Sequence, residues 1–325
     1  MNMRLLSCVS AVLAIVSAVV TVAADEAIKK HANKAYTDPA DKGEPKDDAA
    51  ARETVKKAHA AVTTGRASGL QKAAGTVAVD VVFKNGQHAA LGTLSYEGSF
   101  GWKTGEALVK LKLTAKKDEK KANANKQQAL NGLKPILEQE GLEVEPYLGF
   151  APWDSGYESA RFTNDAAQDT KQDQKKNKPS GKAAKDGKNT KNEGVDNVKT
   201  IRMWTEVNKA WQSAMYRVSD GLISAVDTPD KSLAYEYVRE KDATFLAKHT
   251  ITIWRENPYT KGREAVVIAD SINERQSAST FTLAKKVTSI RNYGGEEVEM
   301  TITFSETKAD KDVSAEMLAQ VGIKE

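Results

Sequence analysis

The strongest constraint on this chain is a side-chain alternation near its C-terminal end. Over Val298–Ser305, Val298, Met300, Ile302 and Phe304 point one way and Glu299, Thr301, Thr303 and Ser305 the other. A period of two belongs to a strand with one buried and one wet face; a helix cannot sort these residues that way. The pattern recurs upstream. In Val198–Val207, Ile201, Met203, Thr205 and Val207 oppose Arg202, Trp204 and Glu206. Ala214–Val218 and Leu222–Val226 flank Ser219-Asp220-Gly221, a hairpin signal. Leu233–Arg239, Ala247–Arg255, the continuous apolar run Ala265–Ala269, Ser279–Leu283 and Val287–Asn292 complete the series. Turn residues separate these segments: Asp227–Lys231 with Pro229, Asn257-Pro258 ahead of Gly262, and Gly294-Gly295. Short strands joined by short turns pair antiparallel, and the apolar side of the sheet needs a cover.

An earlier strand group precedes these. Thr76–Phe83 alternates on Val77, Val79, Val81 and Phe83, and Asn85-Gly86 predicts a tight type I′ turn into Ala89–Glu97. Gly98–Gly105, around Trp102, predicts another turn, and Glu106–Thr114 alternates again. The cover comes from helices. Residues 48–64 place Val55, Ala58, Ala61 and Val62 on one face with Gly65 as a stop. Residues 116–140 carry Leu130, Leu133 and Leu137, with a break expected at Pro135, and Val313–Val321 forms a short amphipathic helix. The fold class is therefore α+β: a strongly curved antiparallel β-sheet packed by one or two helices.

The ends and insertions bound the domain. Met1–Ala24 has the form of a secretory signal peptide: Arg4, an apolar run from Leu5 to Val20, then Val22-Ala23-Ala24 before Asp25. Cleavage there leaves residues 25–47 as a disordered leader and no transmembrane segment, and places the product in the periplasm or outside the cell. Residues 48–325 are expected to form a single β-rich domain, interrupted at 164–197 by a disordered Lys-rich insertion. Between Thr170 and Lys191 that insertion carries eight Lys against two Asp. It lacks the Arg and stacking aromatics of nucleic-acid segments, and the whole chain is only +4, so nucleic acid is not an expected partner. The single cysteine, Cys8, falls inside the signal. The mature chain thus has no disulfide, no catalytic thiol and no Cys-ligated metal, and packing alone must hold it together.

Chemistry-bearing patterns are sparse. The four histidines are His31, His59, His88 and His249, and none sits beside a G-x-S-x-G elbow or in an H-E-x-x-H pair. No phosphate-binding glycine loop occurs, so no catalytic residue, metal ligand or cofactor is assigned. Asp227-Thr228-Pro229-Asp230 is simplest as a turn. In Ala247–Arg255, His249, Ile251 and Ile253 share one side, while Thr250, Thr252 and Trp254 share the other. Trp204 and Trp254 both stand on the side otherwise taken by Thr, Arg and Glu. On a curled sheet they would line a groove for a lipid or other apolar ligand, and they are the candidate ligand-binding residues; a helix lying over both is the structural alternative.

Some residues carry a likeness to known groups. Gly92-Thr93-Leu94-Ser95-Tyr96 with Trp102 after it, and the hairpin from Tyr216-Arg217-Val218 to Val226, resemble LolA-type periplasmic lipoprotein carriers. Tyr216-Arg217-Val218-Ser219-Asp220-Gly221-Leu222-Ile223, Leu283 and Met300-Thr301-Ile302-Thr303-Phe304-Ser305 are similar to an uncharacterised exported family of unknown function. The resemblance implies a curved half-barrel and supplies no catalytic residues. The expectation is an exported, non-enzymatic protein that binds an apolar ligand or serves a structural role in the envelope. One alternative is a hydrolase assembled from dispersed Ser, Asp and His249 residues. The other is polyanion binding through Lys171–Lys191.

Overall fold

The computed structural model describes residues 36, 44–65, 68–86, 88–106, 109–117, 119, 123–139, 159–165, 198–256, 263–293 and 296–324. The segments read as a signal peptide at Met1–Ala24, most of the leader, most of the Lys-rich insertion and the turns expected at Asn257-Pro258 and Gly294-Gly295 lie outside them. The elements run α1 (Ala49–Ala60), β1 (Lys72–Phe83), β2 (Thr93–Lys103), β3 (Lys110–Ala115), α2 (Ala124–Gln139), β4 (Arg161–Asn164), β5 (Lys199–Val207), β6 (Ala210–Ser219), β7 (Leu222–Asp227), β8 (Lys231–Glu240), β9 (Ala243–Glu256), β10 (Arg263–Ala278), β11 (Phe281–Tyr293), β12 (Glu296–Ala309) and α3 (Ala315–Gln320). The strands form an open sheet in the order β3-β2-β1-β12-β11-β10-β9-β8-β7-β6-β5-β4. The α+β class holds, with three helices among the described residues where one or two were expected to pack. By compactness the chain divides into two units. The first takes in the described residues of Thr63–Ser155 and Tyr235–Glu325, the second those of Asn33–Val62 and Gly156–Ala234.

In the first unit β1 is central. It pairs with β12 through Val77↔Phe304, Val79↔Ile302, Val81↔Met300 and Phe83↔Val298, and with β2 through Val79↔Tyr96 and Val81↔Leu94. All of these side chains are buried, as the alternation requires. The α2 helix covers part of this face: Tyr96 Oη donates to the Leu130 carbonyl at 3.0 Å, and Leu130, Leu133 and Leu137 are buried. It runs through Pro135 without ending. The donor that proline lacks would have served the carbonyl of residue 131, and that residue is exposed. On the opposite face α3 closes a small cluster of Val313, Leu318, Val321 and Ile323 over Ala74.

Two predicted turns are corrected. Asn85-Gly86 does not make a two-residue hairpin; a longer loop with a single 3₁₀ turn at Ala89–Leu91 joins β1 to β2. Asn85 is used instead to tie that loop to β12, its Oδ1 accepting from Glu297 N at 2.6 Å. Gly98–Gly105 is not a turn either, since β2 continues through it to Lys103. Gly98 is there because β3 passes so close that a Cβ would lie 1.9 Å from the Lys112 carbonyl oxygen.

In the second unit the hairpins are tight. Ser219-Asp220-Gly221-Leu222 turns as predicted, with φ of 52° at Asp220 and 76° at Gly221. Asn208 and Lys209, also left-handed, turn β5 into β6. Asp48 caps α1, its Oδ1 accepting from Ala50 N at 2.8 Å and Ala51 N at 3.2 Å. The helix buries Ala51, Val55 and Ala58, and Arg52 stacks over the fully buried Phe162 ring at 5.0 Å.

Candidate functional site

The interior face of the first unit is largely apolar except along one line and at Arg291 on the row beside it. Register places His249 (β9) opposite Asp270 (β10), Asp270 opposite Ser289 (β11), and Ser289 opposite Met300 (β12). The line continues through Val81 to Leu94. One row along lie Ile251, Ile268, Arg291, Val298 and Phe83, and on the other side Ile272, Val287, Ile302, Val79 and Tyr96. A strip of polar groups thus crosses a sheet face that is otherwise almost wholly hydrocarbon. His249 is 5 % exposed, and Asp270 and Ser289 are each 2 % exposed.

Two members of this strip have no hydrogen-bond partner among the described residues. Both ring nitrogens of His249 and the Oγ of Ser289 are buried and unpaired. The His249 ring lies flat against Tyr235, with centroids 5.1 Å apart and planes 3° from parallel, so it is held without being satisfied. Burial pushes its pKa down to about 4, leaving a neutral imidazole with one donor and one acceptor. An orphaned buried polar group costs about 1–3 kcal/mol, so this strip opposes stability. Such a cost is most readily understood at a site that meets something polar.

The alternation of Ala247–Arg255 put His249 on an apolar side, and that is its position. The sequence carried no sign that Asp270 and Ser289 would be its neighbours; only the cross-strand register brings them together. A dispersed Ser, Asp and His set is therefore assembled, but with the carboxylate in the middle. Ser289 and His249 sit two strands apart, about 10 Å across the sheet, and neither His249 nitrogen bonds a hydroxyl. A base must reach its nucleophile within hydrogen-bond distance, and this order keeps them apart.

The two tryptophans fall in different units. Trp254 is half-buried on the opposite, polar side of β9, facing Ala265 across the pair. Trp204, in the second unit, is 6 % exposed, and its Nε1 donates to Thr163 Oγ1 at 3.0 Å. Its neighbour Arg202, missed by sequence reading, is a buried cation. Arg202 donates to Asp165 and to Ser213 Oγ and lies between the rings of Tyr36, at 5.4 Å, and Trp204, at 5.8 Å. The helix of that unit stacks on Phe162, which faces away from Trp204 along the β4–β5 pair, while Arg202 of β5 lies over the Trp204 ring. His88 is also buried, with Nδ1 2.9 Å from Glu296 Oε1, and clasps the β1–β2 loop to β12. Among the described residues no group of three or more His, Cys, Asp or Glu side chains could hold a metal ion, and no helix is long and apolar enough to cross a membrane.

No protein-family model matches this chain, and no curated protein matches it. Among solved structures, a domain from Vibrio parahaemolyticus described as an outer membrane lipoprotein-sorting protein is 10% identical, with a TM-score of 0.28 over 82% of this chain and 95% of that one. A DUF1329 family protein from Desulfovibrio piger is 7% identical, TM-score 0.27, over 82% and 94%. A LolA superfamily protein from Nitrosomonas europaea is 9% identical, TM-score 0.26, over 82% and 96%. At scores this low no function passes from them to this chain.

Proposed function

We propose that this is an exported, non-enzymatic protein that binds an apolar ligand on the interior face of its first unit. The observation that supports the reading is the pairing of an extensive hydrocarbon face with a central strip of buried, unsatisfied polar groups at His249 and Ser289. Ligand sites are mostly apolar with a few convergent polar groups that fix orientation, and this face has that composition. The signal-like Met1–Ala24 supports export to the periplasm or beyond.

The test is uptake of N-phenyl-1-naphthylamine, an uncharged probe that brightens in hydrocarbon. A saturable fluorescence rise is expected. Ile251→Lys, which sets a charge on this face at a half-buried position, should weaken uptake by at least about tenfold. Uptake no greater than that of the urea-unfolded chain, or unchanged in Ile251→Lys, would refute the reading. The same titration on Trp204→Phe and Trp254→Phe tests the two tryptophans as ligand contacts.

A further inference from the structure

We infer that the polar end of the ligand is an uncharged hydrogen-bonding group, a hydroxyl, ester or amide seated on His249 and Ser289, rather than an ionised carboxylate, phosphate or ammonium. This rests on the apolar-ligand reading above and narrows it to a chemical class: fatty alcohols, acylglycerols and fatty amides.

The argument starts from what the two unpaired side chains offer. A neutral imidazole presents one N–H and one lone-pair nitrogen, and the Ser289 hydroxyl both donates and accepts. Together they match a head that itself donates and accepts, and neither brings a charge. The charged groups on this face are the second constraint. Asp270 stands between His249 and Ser289 on the intervening strand. Arg291 stands on the next row, opposite Ile268 and Val298. Tyr235, stacked on His249, adds a hydroxyl. A carboxylate or phosphate seated on the two unpaired groups meets Asp270 first. An ammonium seated there is drawn to Asp270 but opposed by Arg291, which stands diagonally across from that carboxylate on the neighbouring strand. The acid in the strip and the base beside it are opposite in sign, so a charged head of either sign would be stripped of water without a net counter-charge to repay it. An uncharged head avoids that cost and satisfies the orphaned atoms, which a bare hydrocarbon chain cannot do.

The test keeps the hydrocarbon constant and varies the head. Oleyl alcohol, monoolein, oleamide, oleate and oleylamine each compete against bound N-phenyl-1-naphthylamine, at a pH where oleate is ionised and oleylamine is protonated. The three uncharged ligands should displace the probe at concentrations at least about tenfold lower than oleate or oleylamine. Ser289→Ala and His249→Phe should each shrink that margin several-fold, taken relative to the probe affinity of the same variant, and His249→Gln, which keeps a donor and an acceptor, should restore part of it. If oleate or oleylamine competes as well as monoolein, or if the margin survives in Ser289→Ala and in His249→Phe, the head-group inference fails while the carrier reading stands. If His249→Phe does not fold, Ser289→Ala decides alone. If the probe itself does not bind, the carrier reading has failed first.

Discussion

Replacing His249 by phenylalanine should remove an acid sensitivity of about 3 kcal/mol from the fold. The ring is held neutral by burial, with its pKa pushed down to about 4 from an ordinary 6.5. Between those two values the unfolded chain takes up a proton that the folded chain refuses. Stability therefore rises with pH across that window and falls as the solution is acidified through it. Above pH 6.5 both states are neutral and the contribution is flat; below pH 4 it is fully lost. Asp270 stands opposite on β10, yet neither ring nitrogen is bonded to it, so charging the imidazole gains no hydrogen-bonded partner. Urea unfolding of wild type and His249→Phe at pH 7 and pH 4 measures the effect, because every other titrating group is common to both and cancels in the difference. The variant should match or exceed wild type at pH 7, since two orphaned nitrogens are gone, and should pull ahead by about 3 kcal/mol more at pH 4. A gap that does not widen with acid would show that the ring is solvated or paired. A variant that is more stable yet loses head-group discrimination would carry the signature of a residue kept for binding at a cost to folding.

Alternation along the chain was enough to set strand type and facing for most of the sheet, because period two follows from strand geometry whatever the partner. It failed where that phase slips. The segments expected at Ser279–Leu283 and Val287–Asn292 are one strand, β11, in which Leu283 and Ala284 are buried in succession, opposite a register shift around Glu274 in β10. The Asn208-Lys209 turn escaped notice because lysine is an unusual left-handed residue, whereas Asp220-Gly221 announces itself. The candidate site was half legible. His249 stood out as a histidine on an apolar side, but Asp270 and Ser289 lie 21 and 40 residues further on, and only pairing registers, which single-strand patterns do not encode, make them its neighbours. Trp204 and Trp254 drew attention as aromatics on the side of their strands otherwise taken by Thr, Arg and Glu. The buried Arg202 gave no signal, since it shares its side of β5 with Glu206 and its partners are the distant Asp165, Tyr36 and Ser213.

Gly98→Ala should cost about 3–5 kcal/mol, more than an ordinary glycine substitution in a strand. Alanine in place of glycine within a strand is usually neutral or favourable, because it restricts the unfolded chain. Here the added Cβ would stand 1.9 Å from the Lys112 carbonyl oxygen, 2.9 Å from the Lys112 carbonyl carbon and 3.0 Å from the Leu113 Cα. All three atoms are backbone, so no side-chain rotation relieves the overlap, and β3 must move off β2. That movement spreads, because β3 is an edge strand and holds α2 through the Glu138 carboxylate, which accepts from Leu113 N at 2.7 Å. With α2 displaced, the Tyr96 hydroxyl loses its acceptor at Leu130, and the cover over the apolar rows at Leu94 and Tyr96 opens. Urea unfolding gives the size of the loss, and amide hydrogen exchange gives its location: protection should fall first over Lys110–Ala115 and Ala124–Gln139, while β10 and β11 exchange at near wild-type rates. Gly105→Ala is the control, since nothing lies within 4 Å of its Cβ position and its penalty arises only from a left-handed φ of 96°. If the two variants lose equal stability, β3 does not pass as close to Gly98 as its register requires, and the cover over this end of the ligand face is built some other way.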